Sequence, residues 1–209
     1  MPRDRKREEQ SLRRRQETRE VRKTILIVTE GEKTEPDYFN GLRKRWRLST
    51  AEIEVVGKGA TPSRVVEEAV SRKEKREQDC GKDLNDQYDE VWAVVDWDEH
   101  TDLDRALQAA KQAHVNVALS APCFEFWYLL HFAYTTRDFP NLAELKPVLK
   151  KHLPDYDKTR DYLDVLMPKL DYAFEKAAQL RKWNEDNATE RPCMGVDLLV
   201  KVLEEIAHS

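Results

Sequence analysis

Cysteine is scarce in this chain: Cys80, Cys123 and Cys193 are the only three in 209 residues, and no CxxC pair occurs. That spacing excludes a zinc knuckle and suits buried, unpaired thiols in a reducing compartment. No apolar run approaches the roughly 20 residues that cross a bilayer, and the basic start is not followed by an apolar signal region. A cytoplasmic protein without membrane contact is expected. Glycine numbers six. The pair in Gly57-Lys58-Gly59 lacks the GxxxxGK(S/T) spacing of a Walker loop, so this chain is not expected to hydrolyse ATP by itself. Neither a helix-turn-helix nor an aromatic RNA-reading motif is evident. Internal repeats and long low-complexity linkers are also missing.

Charge, by contrast, is plentiful. Asp, Glu, Lys and Arg make up 36% of the chain, yet the formal net charge is only −4. Mixed-sign surfaces on one good-sized domain, or a core with an appendage, fit that balance and length. The first 24 residues carry ten basic and five acidic side chains, +5, which leaves −9 for the rest. Residues 1–23 read either as a solvated leader or as a basic arm able to track a phosphate backbone.

From Thr24 onward, strand and helix patterns alternate. Thr24–Thr29, Ala51–Val56, Glu90–Val95 and Val115–Leu119 are the expected strands. Helical spacing of Tyr38, Phe39, Leu42 and Trp46 marks a helix over Glu35–Arg47. Thr61 and Pro62 suit an N-cap and first helical turn ahead of Val65, Val66, Ala69 and Val70. Leu103, Ala106, Leu107 and Ala110 form another apolar stripe. This alternation predicts an α/β fold with a parallel four-stranded sheet flanked by helices. After Leu119 the texture turns helical. Ser120 and Pro122 open a helix, and others are expected at Leu142–Lys151, Arg160–Trp183 (broken near Pro168) and Val196–Ala207. Residues 24–120 are therefore expected to form the core, with 121–209 a helical region packed on it.

Ligands of parallel sheets bind beyond the carboxyl ends of the strands. At that edge the sequence places its acids. Val91-Trp92-Ala93-Val94-Val95-Asp96-Trp97-Asp98 ends a strand in two aspartates spaced i, i+2, which share a face. Thr24 to Gly31 repeats the design with Glu30. Like charges so close resist joint ionisation unless a cation lies between them. Hard oxygen ligands favour Mg2+ or Mn2+. Glu30, Asp96 and Asp98 are the expected metal ligands; Trp97 faces the other way and is expected to pack.

Glu30-Gly31 after one strand and Asp96-x-Asp98 after a later one resemble the Toprim fold. Longer segments are more specific. Thr29-Glu30-Gly31-Glu32-Lys33-Thr34-Glu35-Pro36-Asp37-Tyr38-Phe39, Val91 to His100, and Ser120 to Phe132 resemble the RloB-like family, as do Tyr156-Asp157-Lys158 and Arg191 to Leu203. The likeness covers nearly all of 24–207. It implies a Toprim-type phosphodiester nuclease, related to the OLD-type anti-phage nucleases, serving in phage defence or abortive infection beside an ATPase partner. OLD-like nucleases use a lysine downstream of the acids, a role that falls here on Lys158, where it would stabilise charge developing at phosphorus. Two departures stand out. Ala121 occupies a place where the family more usually has Asn, and Glu35 lies five residues after Glu30 where many Toprim proteins set an acid at four.

A second tier of residues is open at this point. Glu35 is either a metal ligand or a favourable charge on its helix dipole. Glu125, among aromatics, either ligates a metal or ties down its helix. Glu99 and His100 are water-exposed loop residues or metal or phosphate contacts, and Lys33 and Lys58 are alternative phosphate contacts. His131 and Trp127 read as core. The sequence does not choose between DNA and RNA, tRNA included, and leaves a homo-oligomer open. Competing readings are a non-catalytic subunit that binds nucleic acid or an ATPase, and a nucleotide-sugar transferase using the DxD.

Overall fold

Burial on both faces organises the sheet. In β1 (Ile25–Thr29) all five residues are buried. Ile25 and Ile27 join one apolar cluster, Leu26 and Val28 the other. β3 (Glu90–Asp96) repeats this, with Trp92 and Val94 on the first face and Val91, Ala93 and Val95 on the second. Side chains two apart share a face, so such runs require cover on both sides. The computed structural model describes residues 23–55, 61–80, 87–97 and 102–208. All but one residue of the basic arm at 1–23 lie outside that range.

β1 and β3 sit at the centre of a five-stranded sheet of order β2-β1-β3-β4-β5, completed by β2 (Ala51–Val55), β4 (Asn116–Ala121) and β5 (Cys193–Met194). The first four strands run parallel, and β5 pairs antiparallel with β4 through Ser120↔Met194 and Ala121↔Cys193. The sheet is therefore five-stranded and mixed, not the four-stranded parallel sheet expected from the sequence. A two-residue strand beside Pro192 and Gly195 has no period to read. A second correction concerns Ser120 and Ala121. They continue β4 rather than open a helix, and the next helix begins at Glu125.

Helices cover each face. α2 (Pro62–Cys80) and α3 (Leu103–Gln112) bury Val65, Val66, Ala69, Ala106 and Ala110 against one. The other carries α1 (Thr34–Arg45), α4 (Glu125–Leu130), α5 (Leu142–Leu149), α6 (Leu163–Leu166), α7 (Leu170–Asn187) and α8 (Val196–His208). The break expected near Pro168 is a 3-10 turn over Met167–Lys169 between α6 and α7. Among the described residues no helix is long and apolar enough to cross a membrane.

The contact between α1 and α4 decides where Glu35 and Glu125 stand, since each occupies the first turn of its helix. Trp127 is fully buried, and its indole N–H donates to the Tyr38 hydroxyl at 2.8 Å. Tyr38 also packs edge-on to Phe124, with ring centroids 5.5 Å apart. Such aromatic pairs add about 0.5–1.5 kcal/mol beyond their burial. They fix the first turns of α1 and α4 relative to one another. His131 lies in the same core, with Nδ1 donating to the Trp127 carbonyl at 2.8 Å, and burial pushes its imidazole down to about 4. Both residues are core, as their sequence context suggests.

Candidate functional site

Glu30, Glu35 and Asp96 line one cavity, and buried Glu125 meets its Lys158, because four elements end or begin at the same sheet edge. β1 stops at Thr29, and Glu30 follows with its amide donating to the Val94 carbonyl at 3.3 Å. β3 stops at Asp96, in register with Ser120 of β4. Glu35 on α1 and Glu125 on α4 are 7% and 2% exposed respectively. The cavity at this edge has a volume of about 670 Å3, and its lining includes Glu30, Glu35, Asp96, Cys123, Asn141 and Lys158. Gly31 lies close against the Glu35 carboxylate, which would have to shift to admit a Cβ there.

Buried Glu125 is held by two donors. Tyr156 donates its hydroxyl to Oε1 at 2.8 Å, and Lys158 Nζ lies 3.4 Å from the same oxygen. Lys158 keeps 56% of its side chain exposed, so one end of the pair is in water and the other is sealed. Burying a charge requires such pairing.

The remaining acids crowd each other. Burial raises the Asp96 carboxyl well above the usual range, and the charges of Glu35, Glu125 and Glu30 push it further while Lys158 opposes. Burial likewise pushes Glu35 up to about 7, with Glu125 and Glu30 adding and a backbone hydrogen bond and Lys158 opposing. Burial raises the Cys123 thiol too, followed by the nearby Glu125 and Asp96 charges, so it does not serve as a thiolate.

Glu30, Asp96, Glu35 and Lys158, picked out from the sequence on separate grounds, thus share one cavity, and Glu125 is tied to it through Lys158. Lys33 borders it from the start of α1. Asp98, Glu99, His100 and Lys58 lie outside the described residues. Two contributors escaped sequence reading. Tyr156 stands in a recognised motif but gives no sign of reaching back 31 positions to Glu125. Arg191 donates to the Trp97 carbonyl at 2.8 Å from 94 positions away, which no local pattern announces.

The donor set suits a hard divalent cation. Although Asp96 as a residue is only half-buried, its Oδ1 is sealed from solvent and has no hydrogen-bond partner among the described residues. An unsatisfied buried carboxylate oxygen is costly unless something positive meets it. Among the described residues no three acidic, imidazole or thiol groups already stand at metal-binding distances. The acids present therefore fit a cation by chemistry and convergence rather than by a preassembled cage.

An α/β protein with an acid-floored, lysine-bordered cavity at the carboxyl edge of its sheet is the class defined by fold and site. The sequence matches the family described as RloB-like protein over residues 25–203, and the chain belongs to that family. Comparison with curated proteins and with solved structures gave no match.

Proposed function

We propose that this protein is a Mg2+- or Mn2+-dependent phosphodiester nuclease of Toprim type, acting in the cytoplasm as an effector of phage defence with an ATPase partner. The observation that carries this reading is the convergence of Glu30, Glu35 and Asp96 on one cavity beside Lys158, which is itself paired with buried Glu125. Glu30, Asp96 and Asp98 would hold the cation, with Glu35 and Glu125 flanking them. When bound, the cation supplies charge to a phosphate oxygen and a more acidic water. The chain's own residues do the rest. The acid floor would turn away phosphate unless its charge is offset. Lys158, anchored on Glu125 but open to water, offers positive charge to the phosphoryl oxygens as they gain electron density. Tyr156 keeps Glu125, and through it Lys158, in position.

Incubating the purified protein with plasmid DNA and with total tRNA, each with and without Mg2+ or Mn2+, tests this. Cleavage of one substrate is expected only with metal, and Asp96→Ala or Glu30→Ala should lower it at least about 100-fold, as loss of an essential charged group does. Undiminished cleavage by Asp96→Ala would refute the assignment. Metal-indifferent nucleic-acid binding without cleavage would instead point to a non-catalytic binding subunit.

A further inference from the structure

The end of β3 carries Asp96 into the acidic cavity, and two sets of contacts hold it there. The Trp97 amide donates to the Ser120 carbonyl at 2.6 Å, which anchors one side of the peptide between Asp96 and Asp98. The other side is anchored by Arg191, from the segment between α7 and β5. Its Nη1 donates to the Trp97 carbonyl at 2.8 Å, and the guanidinium lies over the Trp97 ring, 5.3 Å from the centroid. The same fork reaches a second wall. Nε lies 3.1 and 3.3 Å from the two carboxylate oxygens of Asp138, and Nη2 donates to the Phe139 carbonyl at 3.4 Å. The chain from Phe139 leads directly to Asn141 and Leu142, which line the cavity. One side chain therefore joins the acid-bearing strand end to the 138–142 wall.

We infer that Arg191 is a positioning residue: it clasps the end of β3 to the 138–139 segment and thereby sets the affinity of the acidic site for a divalent cation. The inference rests on the metal centre of the proposed nuclease. A guanidinium is suited to it because its donors are fixed in one plane, so a single group can satisfy a carbonyl, a carboxylate and a second carbonyl at once. Lysine, a point charge on a flexible stem, cannot span all three.

Charge and geometry predict opposite signs. As a nearby positive charge, Arg191 opposes cation binding, and its removal would tighten binding. As a clasp, its removal loosens the ligand set and weakens binding. The test measures Mn2+ affinity of the full chain by electron paramagnetic resonance, with cooperative thermal melting as a check on folding. Arg191→Met and Arg191→Lys are expected to weaken Mn2+ binding about tenfold or more, the usual cost of removing an outer support of metal ligands. Asp138→Asn, which leaves the bond to Trp97, should weaken it less, and it carries the test should the Arg191 variants fail to fold. Unchanged or tighter Mn2+ binding in the folded variants, beside a wild type that binds, overturns this inference alone. A wild type with no saturable Mn2+ binding overturns the metal centre itself, and the clasp's function with it.

Discussion

Glu35 shows what this site demands of a single carboxyl. Its carboxyl is pushed up to about 7 from an ordinary 4.5, chiefly through burial. A folded-state value above the unfolded one means the fold prefers the protonated form. Its contribution to stability is therefore complete below about pH 4.5 and is lost as pH rises through about 7. In a chelator, the urea midpoint is expected to fall between pH 5 and pH 8, and Glu35→Gln should flatten that fall. An equally steep decline in the variant would show that Glu35 is not the group responsible. Glu30 and Asp96 were legible because an apolar strand ending in acid is a local pattern. Glu125 was suggested by its aromatic surroundings and Lys158 by family likeness, and a 3.4 Å contact makes them neighbours. Tyr156 and Arg191 were illegible because their partners are distant in sequence, and tertiary folding alone creates the encounter.

At the scale of elements, the short edge strand depends on the helices beside it. Arg181 on α7 makes a two-pronged pair with Asp197 at the start of α8, both bonds 2.8 Å, and donates to the Met194 carbonyl at 3.1 Å. Asn184 Nδ2 adds a bond to the Pro192 carbonyl at 2.8 Å. Asp197 is fully buried, so Arg181→Met would strand its charge. A loss of about 3–5 kcal/mol is expected, read from the chemical denaturation midpoint. A loss under about 1 kcal/mol, the size of an exposed pair, would mean the interaction is only superficial. This anchoring explains why β5 was invisible in sequence while β1 and β3 were plain. The long strands follow from their own hydrophobic pattern, whereas β5 is imposed by its surroundings.

For the molecule as a whole, the division at residue 120 separates residues that share one core. Ile25, Ile27, Trp92 and Val94 pack in a cluster with Trp127, Leu180, Leu199 and Val200. A fragment of residues 24–120 would expose that sheet face and leave β4 as an open edge. It is expected to show poor amide dispersion in NMR spectra and to lack a cooperative melt; a well-dispersed, monomeric fragment would contradict this. The antiparallel edge strand and the arginine just before it also have a consequence for biosynthesis. A ribosome makes Glu30 and Asp96 long before it makes Arg191, Cys193 and Met194. A nascent chain thus carries Glu30 and Asp96 without the Arg191 clasp until the segment at 191–194 has emerged and folded against β4.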